Sequence, residues 1–191
     1  MRNLFISSVL CFWYVNGWAQ LSPEQKVIQN VFFNFLYSYQ KQESIFDSFK
    51  ICTGSGTENG PPYHIQWKEV DRYITFLKKS VPFVGDAYIE NERKNFRFYD
   101  SCYKDDPKEE LAVGFDFDRW AGGQENVAYL VKWHTDQKNI YQVNIKGNSA
   151  ELRIGHPLWK GSVENERLWN IVPFIKEKGR WVMATNIESI E

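Results

Sequence analysis

Cysteine, histidine and methionine are all scarce in this chain of 191 residues, at three, three and two. His64, His134 and His156 stand far apart, with none of the spacing that a zinc site needs, so no metal is expected. Charge of one sign is lacking too: 23 Lys and Arg face 24 Asp and Glu, a formal net charge of −1. No basic stripe appears, which argues against nucleic acid, and no basic amphipathic helix suggests a membrane surface. There is no G-x-S-x-G nucleophile elbow. Gly54-x-Gly56-x-x-x-Gly60 misses the spacing of a dinucleotide loop, so no cofactor is expected. No internal repeat or low-complexity tract occurs. Beyond the first twenty residues, no apolar run is long enough to anchor the chain in a membrane.

Those first residues, MRNLFISSVLCFWYVNGWAQ, read as a signal peptide. Arg2 supplies the positive end, Leu4 to Val15 the apolar stretch, and Gly17 and Ala19 the small residues before a cut between Ala19 and Gln20. Residues 1–19 are then a leader and residues 20–191 a single domain, exported to the periplasm or the extracellular space with no membrane anchor. A lipoprotein reading would need a small residue before Cys11, where Leu10 stands. Losing Cys11 with the leader leaves Cys52 and Cys102. An even pair in an oxidising compartment reads as a disulfide, closing a loop of about fifty residues and contributing roughly 4 kcal/mol before native strain.

Along the domain, Ser22-Pro23-x-Gln25 opens a helix, with Val27, Val31, Phe32, Phe35, Leu36 and Tyr39 on its apolar face to about Gln42. TGSGTENGPPY, residues 53–63, is a loop. A second helical period runs from Trp67 to Lys79 and stops before Pro82. Residues 83–99 mix both periods and are assigned a short helix. From residue 127 the period drops to two. VAYLVKWH, IYQVNIK, AELRI, LWNIVPFIKE and RWVMATNIES read as strands, the last two joined through Lys178-Gly179, with an irregular connection from His156 to Glu166. Helices first and antiparallel strands second give an α+β fold, with N-terminal helices packed on a meander sheet. Several strands carry apolar residues on both sides, as in a strongly bent sheet wrapped round a helix. Trp181, just after the last turn, is expected in the core on a central strand.

The segment densest in polar side chains is GFDFDRWAGGQE, residues 114–125. Asp116 and Asp118 are two apart and would share a face on a strand. Such a pair can hold a cation or divide acid and base roles, although the calcium-loop spacing is missing. The plainer reading is a turn whose carboxylates cap backbone N–H groups. Asp116, Asp118, Arg119, Trp120 and Gln124, with His134 nearby in sequence, are the candidate binding residues. No catalytic residue is assigned. Of the eight tryptophans, Trp13 and Trp18 fall in the leader and the rest belong mostly to the core.

The FFNFLYSYQ helix, the DFDRWAGGQEN segment, the GRWVMATNI terminal strand and the leader ending at Ala19-Gln20 together resemble a family of exported bacterial proteins of unknown function with a nuclear-transport-factor-two-like, or cystatin-like, fold. The resemblance implies a curved sheet and helices forming a cone, often with a pocket at its open end, and places the DFDRWAGGQEN segment near the mouth. It implies no activity, because this fold hosts enzymes and binding modules alike. The expectation is a non-catalytic binding domain for a small molecule or a protein partner, monomeric or weakly dimeric. One alternative is a small hydrolase or isomerase with Asp116, Asp118 or His134 as base. Another is an inhibitor or immunity-type protein.

Overall fold

The computed structural model describes residues 20–190. The expected leader at residues 1–19, with Cys11 and Ala19 of the expected cut, lies outside the described residues. The fold is α+β, with four α-helices and two antiparallel sheets among the described residues.

Helix α1 spans Pro23–Phe46. The Ser22 hydroxyl accepts from Gln25 N at 3.3 Å, and the Gln25 carboxamide accepts from Ser22 N at 2.8 Å. This reciprocal box satisfies two of the N–H groups that a helix start leaves open. Ile28, Phe32, Phe35, Leu36 and Tyr39 are buried. That stripe runs i, i+4, i+7, i+8, i+11, so Val27 falls off it and is 50 % exposed, contrary to expectation.

Strands β1 (Cys52–Gly54) and β2 (Tyr63–Ile65) form a small hairpin around the glycine-rich loop. Helix α2, Trp67–Ser80, buries Val70, Tyr73, Ile74 and Leu77. Helix α3 is longer than expected, Asp86–Asp105. Its first N–H groups have a partner from far along the chain: the Glu177 carboxylate accepts from Asp86 N at 2.9 Å and Ala87 N at 3.1 Å. A negative charge is favourable at that end of the helix dipole.

Helix α4, Val127–Thr135, corrects the expected first strand. VAYLVKWH satisfies both periods, and its β-branched and aromatic residues favour a strand. Asn126 decides the outcome by accepting from Tyr129 N at 2.9 Å, an N-cap. Val127, Leu130, Val131 and His134 then face inward at i, i+3, i+4 and i+7.

The main sheet runs β3 (Ile140–Lys146), β4 (Ser149–Gly155), β5 (Trp169–Glu177) and β6 (Arg180–Met183), and β7 (Glu188–Ile190) pairs with the other end of β5. The register aligns Val143, Leu152 and Val172 in one row, and Ile145, Ala150, Phe174 and Met183 in another. Both rows are mainly buried, whereas the opposite face carries Gln142, Asn144, Glu151 and Arg153. Burial therefore alternates, with two exceptions on the outer face: Gly155 at the end of β4 is buried, and so is Val182, against Gly85 at the start of α3. Trp181 is buried, as expected, but on an end strand rather than a central one. Its indole N–H donates to Glu24 at 3.0 Å.

Cys52 and Cys102 are both free, so the expected bridge is not formed in this structure. The Cys52 thiol points at the Tyr103 hydroxyl, at 3.6 Å, and that hydroxyl donates to Val113 O at 2.7 Å. Neighbours on a helix point about 100° apart, so a thiol aimed at Tyr103 is not aimed at Cys102.

Candidate functional site

The junction between α3 and α4 folds on itself. Asp118 N donates to Gly123 O at 2.6 Å, and Gly122 N returns a bond to Asp118 O at 2.7 Å. One oxygen of the Asp118 carboxylate accepts from Trp120 N (2.9 Å) and Ala121 N (2.7 Å), and the other from the Tyr39 hydroxyl at 2.6 Å. Gly122 lies at φ +68°, where a Cβ would come within 2.2 Å of Ile187. Burial, and then the Asp118 charge, push the Tyr39 phenol well up, so it stays a donor. Asp118 is thus bound within the protein.

Arg119 is 5 % exposed and enters the core. Its Nη2 donates to Glu92 of α3 at 2.8 Å. The same carboxylate accepts from Asn186 (2.9 Å) and the Tyr73 hydroxyl (2.7 Å), and Tyr73 in turn accepts from the Trp120 indole at 2.7 Å. Tyr88 closes the network by donating to Asn186. The guanidinium carbon lies 4.4 Å from the Phe96 ring centre and 5.4 Å from that of Phe115. Nε and Nη1 have no hydrogen-bond partner among the described residues. These contacts make a charge-stabilised interior junction.

His134 is 1 % exposed. Its Nε2 donates to Ala121 O at 2.7 Å, which ties α4 to the junction loop. Burial pushes its pKa down to about 4, against a partial rise from that bond. His156, following β4, is equally buried: Nε2 donates to Asn170 at 2.5 Å, and the ring stacks on Trp133 with centres 4.4 Å apart. Burial lowers its pKa as well. Both rings are neutral at pH 7.

Of the six expected binding residues, Asp118, Arg119, Trp120 and His134 are therefore joined by internal bonds. Asp116 and Gln124 remain exposed. Away from the loop, the Ser55 hydroxyl lies 3.3 Å from His64 Nε2 on the glycine-rich hairpin, but both residues are exposed and no carboxylate bonds that ring among the described residues.

A larger opening than the one at the junction loop lies elsewhere. A cleft of about 810 Å³ lies where the start of α1, the start of β3 and the segment after His156 meet. Leu21, Ile140, Tyr141, Val143 and Leu158 give it apolar walls, and Gln20, Gln25, Gln137, Asn139 and Gln142 bring carboxamides. Among the described residues, its only charged lining side chains are Lys138 and Arg167. Arg167 is committed to Glu164 (2.7 and 2.8 Å) and to His156 O (2.5 Å). Lys138 has no ion-pair partner among the described residues. The Asn139 side chain donates to Trp133 O at 2.7 Å, while its buried oxygen has no partner among the described residues. Sequence reasoning missed this site because its walls come from segments over a hundred residues apart. The one available signal was the cluster Gln20, Leu21 and Gln25 directly after the expected cut. No family model matches the chain, and neither a curated protein nor a solved structure matches it.

Proposed function

We propose that this chain is an exported, non-catalytic binding domain that holds its ligand in the cleft between α1, β3 and the segment after His156. The cleft carries this reading. Its volume of about 810 Å³ lies within the several hundred to about 1,000 Å³ common for ligand sites, and it combines apolar walls with a few convergent polar groups. The fold is read as nuclear-transport-factor-two-like. What supports this is the long first helix lying against the inner face of an antiparallel sheet, and the closing β5–β6 hairpin. Export rests on the leader pattern of residues 1–19. The junction loop takes the part of a structural hub, because the Asp118 carboxylate and the Trp120 indole bond within the protein and Arg119 is paired with Glu92.

The test uses residues 20–191, produced by export from the full chain. Fragments and short peptides are screened by thermal shift against the parent and a Leu158→Arg variant, which places a third long cation in the cleft beside Lys138 and Arg167. Hits that stabilise the parent and lose their effect in the variant are expected. Hits that survive Leu158→Arg and are lost in Asp116→Ala, Gln124→Ala would move the site to the junction loop and refute the proposal. N-terminal sequencing of the exported protein checks the cut before Gln20.

A further inference from the structure

We infer that the outer edge of β3 takes up an extended peptide of another protein as an added strand, an inference that rests on the cleft being the binding site. β3 ends the strand order and, among the described residues, pairs only with β4. The two are joined by Gly147-Asn148, with Gly147 at φ +60° and Lys146 facing Ser149. In a two-residue hairpin the closing pair is hydrogen-bonded, and bonded pairs then alternate along the ladder. Asn144, Gln142 and Ile140 therefore turn their backbone groups toward β4, and Tyr141, Val143 and Ile145 turn theirs outward. The Gln25 carboxamide confirms this direction by donating to Val143 O at 2.7 Å. The other outward groups of these three residues have no partner among the described residues.

Tyr141 and Val143 both line the cleft. Their N–H and C=O groups recur about every 6.8 Å, two residues of antiparallel strand, a repeat that an extended backbone matches and a sugar or lipid does not. Exposed sheet edges are ordinarily blunted by proline, charge or a covering segment. The opposite edge is covered: Met183 N donates to Phe83 O at 2.9 Å, and Gly85 N to Met183 O at 3.3 Å. β3, with the sequence IYQVNIK, has no proline and one charge, at its far end. Leu21 and Leu158 line the same cleft, so a peptide laid along β3 finds apolar side-chain contacts beside its backbone ladder. Lys138, beside the start of β3, together with a lining free of Asp and Glu, favours a peptide with a carboxylate at that end, from an acidic side chain or a free C-terminus.

The test selects random octapeptides on the exported domain and resynthesises the winners in four forms: unmodified, N-methylated at even positions, N-methylated at odd positions, and C-terminally amidated. One N-methyl series should lose about tenfold or more in affinity, the worth of one or two hydrogen bonds, and the other should bind like the parent. Hydrogen exchange at Tyr141, Val143 and Ile145 should slow on binding. Lys138→Glu should weaken binding, and amidation should do so only if the carboxylate is terminal. Equal binding of both N-methyl series, or no slowing at those amides, overturns the inference. If the Tyr141 and Leu158 side-chain signals still shift with a peptide or small molecule, the cleft reading survives that failure. If nothing shifts them, or only self-association of the domain is seen, both readings fall.

Discussion

Glu92 and Arg119 form the most consequential pair of side chains in the interior, at 1 % and 5 % exposure. Removing one partner of a buried ion pair strands the other charge, which commonly costs about 3–5 kcal/mol. Glu92→Gln should lower the denaturant midpoint by that order, because Arg119 keeps its charge among Phe96, Tyr99 and Phe115. A midpoint equal to the parent's would mean that the pair is open to water. Trp181→Ala should cost about 3–5 kcal/mol for a large buried aromatic, read from the same transition. Arg119 was expected at a binding surface because its sequence neighbours are polar. The hint to the contrary lay in α3, where Glu92 falls in the stripe of Tyr88, Ile89 and Phe96. A carboxylate on an apolar face needs a partner, but nothing in the local sequence says which cation supplies it.

Elements differed in how openly the sequence announced them. α1 was legible from its cap, and β3 to β6 from alternation and two short turns, since these signals are local. α4 was hidden, because in VAYLVKWH the strand propensity of Val, Tyr and Trp competes with an Asn126 cap one residue before. The docking of α4 makes a pH-dependent prediction. His134 has a folded pKa of about 4 against an ordinary 6.5, and His156 is lowered too. A folded pKa below the unfolded one means that the unfolded chain binds protons first. The stabilisation is therefore fully present above about pH 6.5 and is lost as pH falls toward 4, by roughly 3 kcal/mol for His134. Unfolding midpoints at pH 7, 5.5 and 4, compared with His134→Gln, should show a shallower acid loss in the variant. Identical slopes would mean that His134 titrates normally. At the start of α3, Glu177→Gln removes the charge that meets Asp86 N and Ala87 N, and should cost about 0.5–1 kcal/mol in denaturant midpoint. No change would show that the contact is not held in solution.

At the scale of the whole molecule, one buried cluster joins all four helices to the main sheet. The α+β class followed from element order, which one chain can reveal. The cleft did not, because it exists only once residues 20–25, 137–143 and 157–167 are brought together. The free thiols of Cys52 and Cys102 are a second consequence of assembly, since Tyr103 takes the position facing Cys52. The proposed division of labour is a junction loop for stability and a cleft for binding. It is tested most directly by the amide spectrum of residues 20–191, recorded with and without a screened ligand. The account predicts that shifts concentrate at Leu21, Lys138, Tyr141, Val143 and Leu158 while Asp116, Gly122 and Gln124 stay still. Shifts confined to residues 114–126, with the cleft unmoved, would contradict it.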